Sequence, residues 1–248
     1  MAAILKMGII KSSKDKGLYF WTFILPIIFI VLFISIFTSG TMADNKEEVI
    51  NKIVPGYTVM FVFFIMISMC YSFLEDRNKG MVARLASTPL SPYAYLMGKW
   101  GVYIAIVLIQ ISGLMLLGKI VYQIPFAQPI YLITTAIILS MTVTSMGVLL
   151  SLLIQSSNAG IAVTQIIALG GAVLGGLWMP IEMLPDVIQN IGKFTPQYWT
   201  HQAFQEAMAG TLAFSQFLKV CGILLGITIT SIILALIRYP RFLRKAKN

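Results

Sequence analysis

Six long apolar runs recur along the 248-residue chain, and they constrain its fold more than any other feature. Each is close to the ~20 residues that a helix needs to cross a bilayer. Runs of this length satisfy their backbone polar groups in hydrocarbon by folding as helices. The sequence therefore predicts an all-α polytopic membrane protein in one transmembrane domain, residues 1–248, with spans at about residues 20–39, 54–74, 93–118, 130–154, 159–178 and 218–237.

The composition agrees with a membrane protein. Hydrophobic residues make up 58% of the chain and charged residues only 11%, whereas soluble domains carry roughly 25% charged residues. The first apolar run exceeds the ~7–15 residues of a signal-peptide core and lacks an obvious cleavage site, so we expect it to be retained as a span. Cys70 and Cys221 lie inside apolar runs and are expected to be small buried hydrophobes.

The placement of lysine and arginine predicts the orientation. With the N-terminus inside, 13 of the 18 basic residues fall in inner segments and 5 in outer ones. The positive-inside rule then predicts that both termini are cytoplasmic. The net charge of +9 is thereby explained by topology and by attraction to lipid headgroups, and no nucleic-acid partner is predicted.

A charged segment, residues 75–99, separates the second and third runs. Four of its apolar residues recur at the spacing of one helical face: Met81, Val82, Leu85 and Ala86. This pattern predicts a short amphipathic helix, which Pro89 and Pro92 prevent from continuing. A charged helix between two spans could be pushed by a cytoplasmic protein.

The long polar segment between the fifth and sixth runs, residues 179–217, predicts two short helices. Pro185 and Gly192 bound the first, and the second follows an N-cap at Thr195 and ends at Gly210. Neither is long enough to span, so we expect a re-entrant or interfacial hairpin on the outer side. Three aromatic residues fit an interfacial belt there: Trp178, Tyr198 and Trp199.

No stretch predicts catalysis. Residues 113–119, GLMLLGK, match half of a phosphate-binding loop, but Ile120 stands where the Mg²⁺-binding hydroxyl belongs. No metal-ligand cluster or nucleophile–base pair occurs either. We therefore predict that the chain is not an enzyme and binds no metal. Its only histidine, His201, is expected to be an interfacial side chain.

Two glutamines and two glycines inside the spans are candidates for helix association. Gln110 and Gln165 either bond neighbouring helices or line a pathway. Gly171 and Gly175 form a GxxxG pattern that permits close approach, either within one subunit or at a subunit interface.

Three features of the sequence together point to one family. The charged segment opens with EDR at 75–77 and continues with GMVARL at 80–85, STPLS at 87–91 and YLMGK at 95–99. GLWMPIEMLP at 176–185 is followed by FTP at 194–196. The third feature is the six-span layout with a basic tail. Together they resemble the membrane subunit of type-2 ATP-binding-cassette (ABC) exporters, in the branch that exports drugs and antimicrobial peptides. Lys79 adds charge before the glycine where many family members have less.

The resemblance implies that the short helix is a coupling helix, which contacts a separate cytoplasmic ABC ATPase through Arg77, Lys79, Met81, Arg84, Leu85, Pro89 and Leu90. It implies that ATP and Mg²⁺ are bound by that ATPase and that this chain holds no cofactor. It also implies a second permease, identical or a sister subunit, with a path lined by the first, second and fifth spans. The expected activity is export of a drug, an antimicrobial peptide or another amphipathic, lipid-like substrate across a bacterial plasma membrane.

Two other classes of function fit the sequence less well. A self-contained channel or ion-coupled secondary transporter would need charges deep in the membrane or ion sites at broken helices, and the runs carry no charge in their middles. A scaffold without transport activity would not explain a charged helix between two spans.

Overall fold

The computed structural model describes residues 16–39, 43–86, 92–178, 181 and 184–247, and these residues are largely helical and contain no strand. Six of the helical stretches are long and apolar enough to cross a membrane: Gly17–Thr38, Val49–Asn78, Tyr93–Val121, Pro129–Leu153, Ser157–Leu174 and Phe214–Arg244. This confirms the predicted all-α fold with six spans.

Several spans are composite helices. The first joins α-helical Lys16–Tyr19 and Leu25–Thr38 through a π-helical turn, Phe20–Ile24. The second joins Ala43–Phe63 and Ile65–Asn78. The fifth joins Ser157–Gln165 and Gly171–Leu174 through a second π-helical turn, Ile166–Gly170. The other helices are continuous: Met81–Ala86, Pro92–Val121, Pro129–Leu153, Asp186–Gly192, Pro196–Ala209 and Phe214–Lys247.

The last helix extends further than the sequence predicted. The basic tail expected after residue 237 is helical as far as Lys247. Tyr239 and Phe242 are buried there, with ring centroids 5.9 Å from Tyr93 and 6.3 Å from Phe73, respectively. Aromatic packing therefore fixes the tail against the second and third spans. The basic charge of the tail does not predict this packing.

The second and fourth spans lie at the centre of the bundle. The fourth packs against the second, third and sixth spans, while the first and fifth pack against the second. Hydrogen bonds link the fourth span to its neighbours, and two of them join side chains of the third and sixth spans to threonines of the fourth. Trp100 Nε1 donates to Thr144 Oγ1 at 2.9 Å, and the hydroxyls of Thr142 and Thr228 lie 3.0 Å apart. Interhelical hydrogen bonds of this kind are each worth about 0.6–2 kcal/mol in a membrane.

The two ends of the bundle differ in character. The charged end carries Met81–Ala86 between the second and third spans. The hairpin end carries the two hairpin helices, Asp186–Gly192 and Pro196–Ala209. The hairpin helices begin and end where the sequence predicted. Thr195 Oγ1 accepts a hydrogen bond from the Tyr198 amide at 3.4 Å, and Gly210 ends the second helix with φ +82°.

The three aromatic residues of the predicted interfacial belt differ in burial. Trp178 is exposed, but Tyr198 and Trp199 are buried. The reason is that the helix Pro196–Ala209 packs against the second, fourth and sixth spans. Placement of this helix at membrane depth stays a prediction.

Candidate functional site

The candidate site is the short helix at the charged end and the residues that hold it. The second span ends at Asn78, and Gly80 turns the chain with φ +66°, a left-handed conformation that glycine adopts without strain. The helix Met81–Ala86 then packs against the second span and the last helix. Val82 is buried in this contact, while Arg84 on the same helix is exposed. The helix is therefore anchored on one side and accessible on the other.

A buried ion pair joins the two spans that flank this helix. Asp76 near the end of the second span contacts Lys99 near the start of the third, with Oδ2 and Nζ 2.5 Å apart. The Tyr95 hydroxyl donates to the same carboxylate at 2.9 Å. Lys99 Nζ also donates to Ser72 Oγ at 2.9 Å and lies 4.4 Å from the centroid of the Phe73 ring.

The environment of this pair decides its role. The side chains of Lys99 and Asp76 are only 10% and 2% exposed, so neither charge is hydrated as it would be at a surface. Removing a charge from water costs several kcal/mol, which a partner charge and further hydrogen bonds offset. Each ion would be strongly destabilised without the other. The pair therefore fixes the end of the second span relative to the start of the third, the two segments that flank the helix Met81–Ala86.

The sequence does not predict this pair. It places Asp76 and Lys99 at opposite ends of the charged segment, residues 75–99, without indicating that they meet. A signal was nevertheless present, because each lies within a turn or two of an apolar run and the two have opposite charge. The pattern could not reveal that the third span folds back at a register that brings them together.

The residues that the sequence predicts to contact an ATPase differ in location, hydrogen bonding and burial. Arg77 lies on the second span and donates to the Gln155 carbonyl at 3.4 Å, and Lys79 pairs with Glu75 at 2.7 Å. Met81 is half-buried. The side chain of Leu85, together with Pro89 and Leu90, lies outside the described part of the chain.

Gly171 and Gly175 are buried against the hairpin. A Cβ added at Gly171 would overlap the Gln197 side chain, and one at Gly175 would lie 3.0 Å from the Tyr198 backbone nitrogen. These contacts account for both glycines by packing within one chain. A role at a subunit interface stays a prediction.

The two membrane glutamines differ in setting. Gln110 is fully buried, and neither its amide oxygen nor its nitrogen has a hydrogen-bond partner in the part of the chain that the structure describes. Gln165 is exposed near the middle of the fifth span and makes no hydrogen bond to other residues of this chain that the structure describes. An amide that faces hydrocarbon without a partner is costly. Whether Gln165 bonds a neighbouring helix or lines a pathway stays a prediction.

His201 is buried, and its expected position at the membrane interface stays a prediction. Its Nε2 lies 3.4 Å from the Lys52 carbonyl, and burial lowers the pKa of the imidazole to about 4. The ring is therefore neutral at pH 7 and joins the hairpin to the second span.

Comparison with known proteins assigns the family. The family model described as "ABC-2 family transporter protein" matches residues 40–237, which is well over half of the chain. This chain belongs to the ABC-2 transporter family. It is thus a multi-pass membrane permease of the ABC-2 type, and the sequence-based resemblance is confirmed.

Three relatives carry permease names. The linearmycin resistance permease protein LnrN of Bacillus subtilis is 24% identical over 194 residues, covering 76% of this chain and 50% of LnrN. The putative transport permease YvfS of the same organism is 24% identical over 191 residues, covering 75% and 76% of the two chains. The probable multidrug ABC transporter permease YbhR of Escherichia coli is 25% identical over 154 residues, covering 62% and 41%.

This ABC-2 chain therefore spans about half the length of LnrN and less of YbhR. Within the described ranges, no group of three or more histidine, cysteine or acidic residues could hold a metal ion.

The buried pair makes a prediction about stability. Asp76→Asn or Lys99→Met should each lower the free energy of unfolding by about 3–5 kcal/mol, because one buried charge loses its partner. The reversed double variant Asp76→Lys with Lys99→Asp should regain part of that loss. Thermal unfolding in detergent measures the change.

The pair of Glu75 and Lys79 is a matched control, since it also joins an acid to a lysine at the charged end, with Lys79 exposed and Glu75 half-buried. Glu75→Gln should change the unfolding free energy by no more than about 1 kcal/mol. Equal effects at the two pairs would contradict the structural role of Asp76 and Lys99.

Proposed function

We propose that this chain is the permease half of an ATP-driven exporter and that Met81–Ala86 is its coupling helix. The observation that carries the proposal is the combination of an exposed short helix with a buried ion pair at its base. A partner that pushes on the helix would move the second and third spans together, because Asp76 and Lys99 bind one to the other. A helix that only rested on lipid headgroups would not require an ion pair between its two flanking spans.

The partner in this proposal is a cytoplasmic ABC ATPase. It would bind ATP and Mg²⁺, and no step of hydrolysis falls on this chain. The exposed Arg84 would steer its docking, while apolar residues of the helix would be desolvated at the centre of the contact. Both termini and the charged end then face the cytoplasm, in keeping with the distribution of lysine and arginine.

The names of the relatives support a proposal for the direction of transport and the class of substrate. The names of LnrN and YbhR refer to linearmycin resistance and to multidrug transport. We infer that this permease moves an amphipathic, drug-like or peptide-like compound outward from the cytoplasm or the inner leaflet. Such a compound could reach the spans from the membrane itself.

The transporter in this proposal contains two permease chains. Gln165 supports a contact through the fifth span, because a primary amide both donates and accepts and can therefore bond to the same residue across a two-fold axis. The partner is a second copy or a sister subunit with a polar residue at that depth.

The coupling role is tested by the double variant Leu85→Asp with Arg84→Glu. It should still insert in the membrane but lose co-purification of the ATPase and ATP-dependent export, because the contact loses its apolar centre and reverses its charge. The matched control is Val187→Asp with Lys193→Glu, which makes the same charge change at the hairpin end, where both residues are exposed.

The control should retain the ATPase. If the Leu85/Arg84 variant keeps its ATPase and its transport, the coupling-helix assignment is wrong.

The permease contact is tested by disulfide cross-linking in membranes, in a background with Cys70→Ala and Cys221→Ala. Gln165→Cys should yield a cross-linked dimer on mild oxidation, because facing β-carbons in the contact would come close to the ~4 Å that a disulfide requires. Ile229→Cys, on the exposed surface of the sixth span, should not. Equal cross-linking at both sites would rule out the fifth span as the specific contact.

A further inference from the structure

An apolar groove lies on the outside of the bundle between the third and fourth spans, towards the hairpin end. Its volume is about 300 Å³. Its lining side chains are apolar apart from the Ser112 hydroxyl, and they include Leu108 and Leu116 on the third span and Leu132 and Ala136 on the fourth. Phe204 of the second hairpin helix forms part of the lining and is itself buried.

The groove opens sideways towards the surroundings of the bundle. Its rim residues Leu116, Ile133 and Ile137 are 49%, 61% and 42% exposed. It follows the fourth span from Pro129 to Ile137, about 12 Å at the helical rise of 1.5 Å per residue. One leaflet of the hydrocarbon core is about 15 Å thick. The groove therefore matches in length most of one acyl chain in the leaflet at the hairpin end.

A cation lies at the mouth of the groove. Lys119 follows the rim residue Leu116 by three positions, and its Nζ lies 5.0 Å from the ring centroid of Phe126, which also lines the groove. Lys119 is exposed, and no carboxylate of the described residues pairs with it. The position suits contact with a lipid phosphate.

A second copy of the chain fits this surface less well. It would have to cover Lys119 and so remove an ammonium group from water, with no carboxylate of this chain to compensate. The fifth span, where Gln165 is exposed, packs against the second span rather than beside the groove.

We propose that this groove is a binding site for one anionic phospholipid of the hairpin-end leaflet. One acyl chain lies between the third and fourth spans, and the phosphate contacts Lys119. Because Phe204 belongs to the hairpin, the bound chain contacts the hairpin as well as the two spans. This site is separate from the coupling helix and does not depend on the substrate.

Native mass spectrometry of the full chain tests the proposal, with detergent-purified protein equilibrated in phosphatidylglycerol and phosphatidylethanolamine. The unsubstituted protein should retain one phosphatidylglycerol per chain after mild delipidation. Ala136→Trp and Ser112→Trp, which fill the groove from opposite walls, should each lose it. Ile229→Trp adds the same indole to the exposed surface of the sixth span and should keep it.

Lys119→Gln separates the headgroup contact from the acyl contact. It should retain a lipid but lower the preference for phosphatidylglycerol over phosphatidylethanolamine about five-fold, the effect of one cation near an anionic surface.

Retention of lipid by both tryptophan variants at the level of the unsubstituted protein would overturn the site. An unchanged headgroup preference in Lys119→Gln would overturn the role of Lys119. Efficient chain-to-chain cross-linking through Ile133→Cys would identify the occupant as a second copy instead.

Discussion

The charged end of this permease depends on one buried contact, the ion pair between Asp76 and Lys99. Two charges enclosed between helices are tolerated only when each satisfies the other, and here a tyrosine hydroxyl, a serine hydroxyl and an aromatic ring complete their surroundings. The consequence is mechanical. The second and third spans cannot separate at this end without exposing an uncompensated charge, so the helix between them has a firm base.

The hairpin end is held by a different kind of interaction. Gly171 and Gly175 allow the helix Pro196–Ala209 to approach the fifth span, and neutral His201 joins that helix to the second span. Shape and neutral contacts therefore stabilise the hairpin, whereas charge stabilises the base of the helix Met81–Ala86. Between the two ends, hydroxyl groups on the central fourth span supply hydrogen bonds that hydrocarbon packing cannot provide.

Local chemistry made much of this fold predictable. Run length identified the spans, and the Thr195 cap and Gly210 identified one hairpin helix to the residue. Features that depend on how distant segments meet were not predictable. The partner of Lys99 is 23 positions away in sequence, and the burial of Tyr198 depends on which spans receive the hairpin. Gln110 and Gln165 looked alike in the sequence, yet one is enclosed and the other faces outward.

The central claim is that the charged end meets a cytoplasmic ATPase, and its orientation is the most direct test. Single cysteines at Arg84 and at Asn190, both exposed positions, can be placed in a chain without Cys70 and Cys221. A membrane-impermeant maleimide should label Asn190→Cys in intact cells and should label Arg84→Cys only in inverted membrane vesicles. Labelling of Arg84→Cys in intact cells would place the short helix outside and contradict the account.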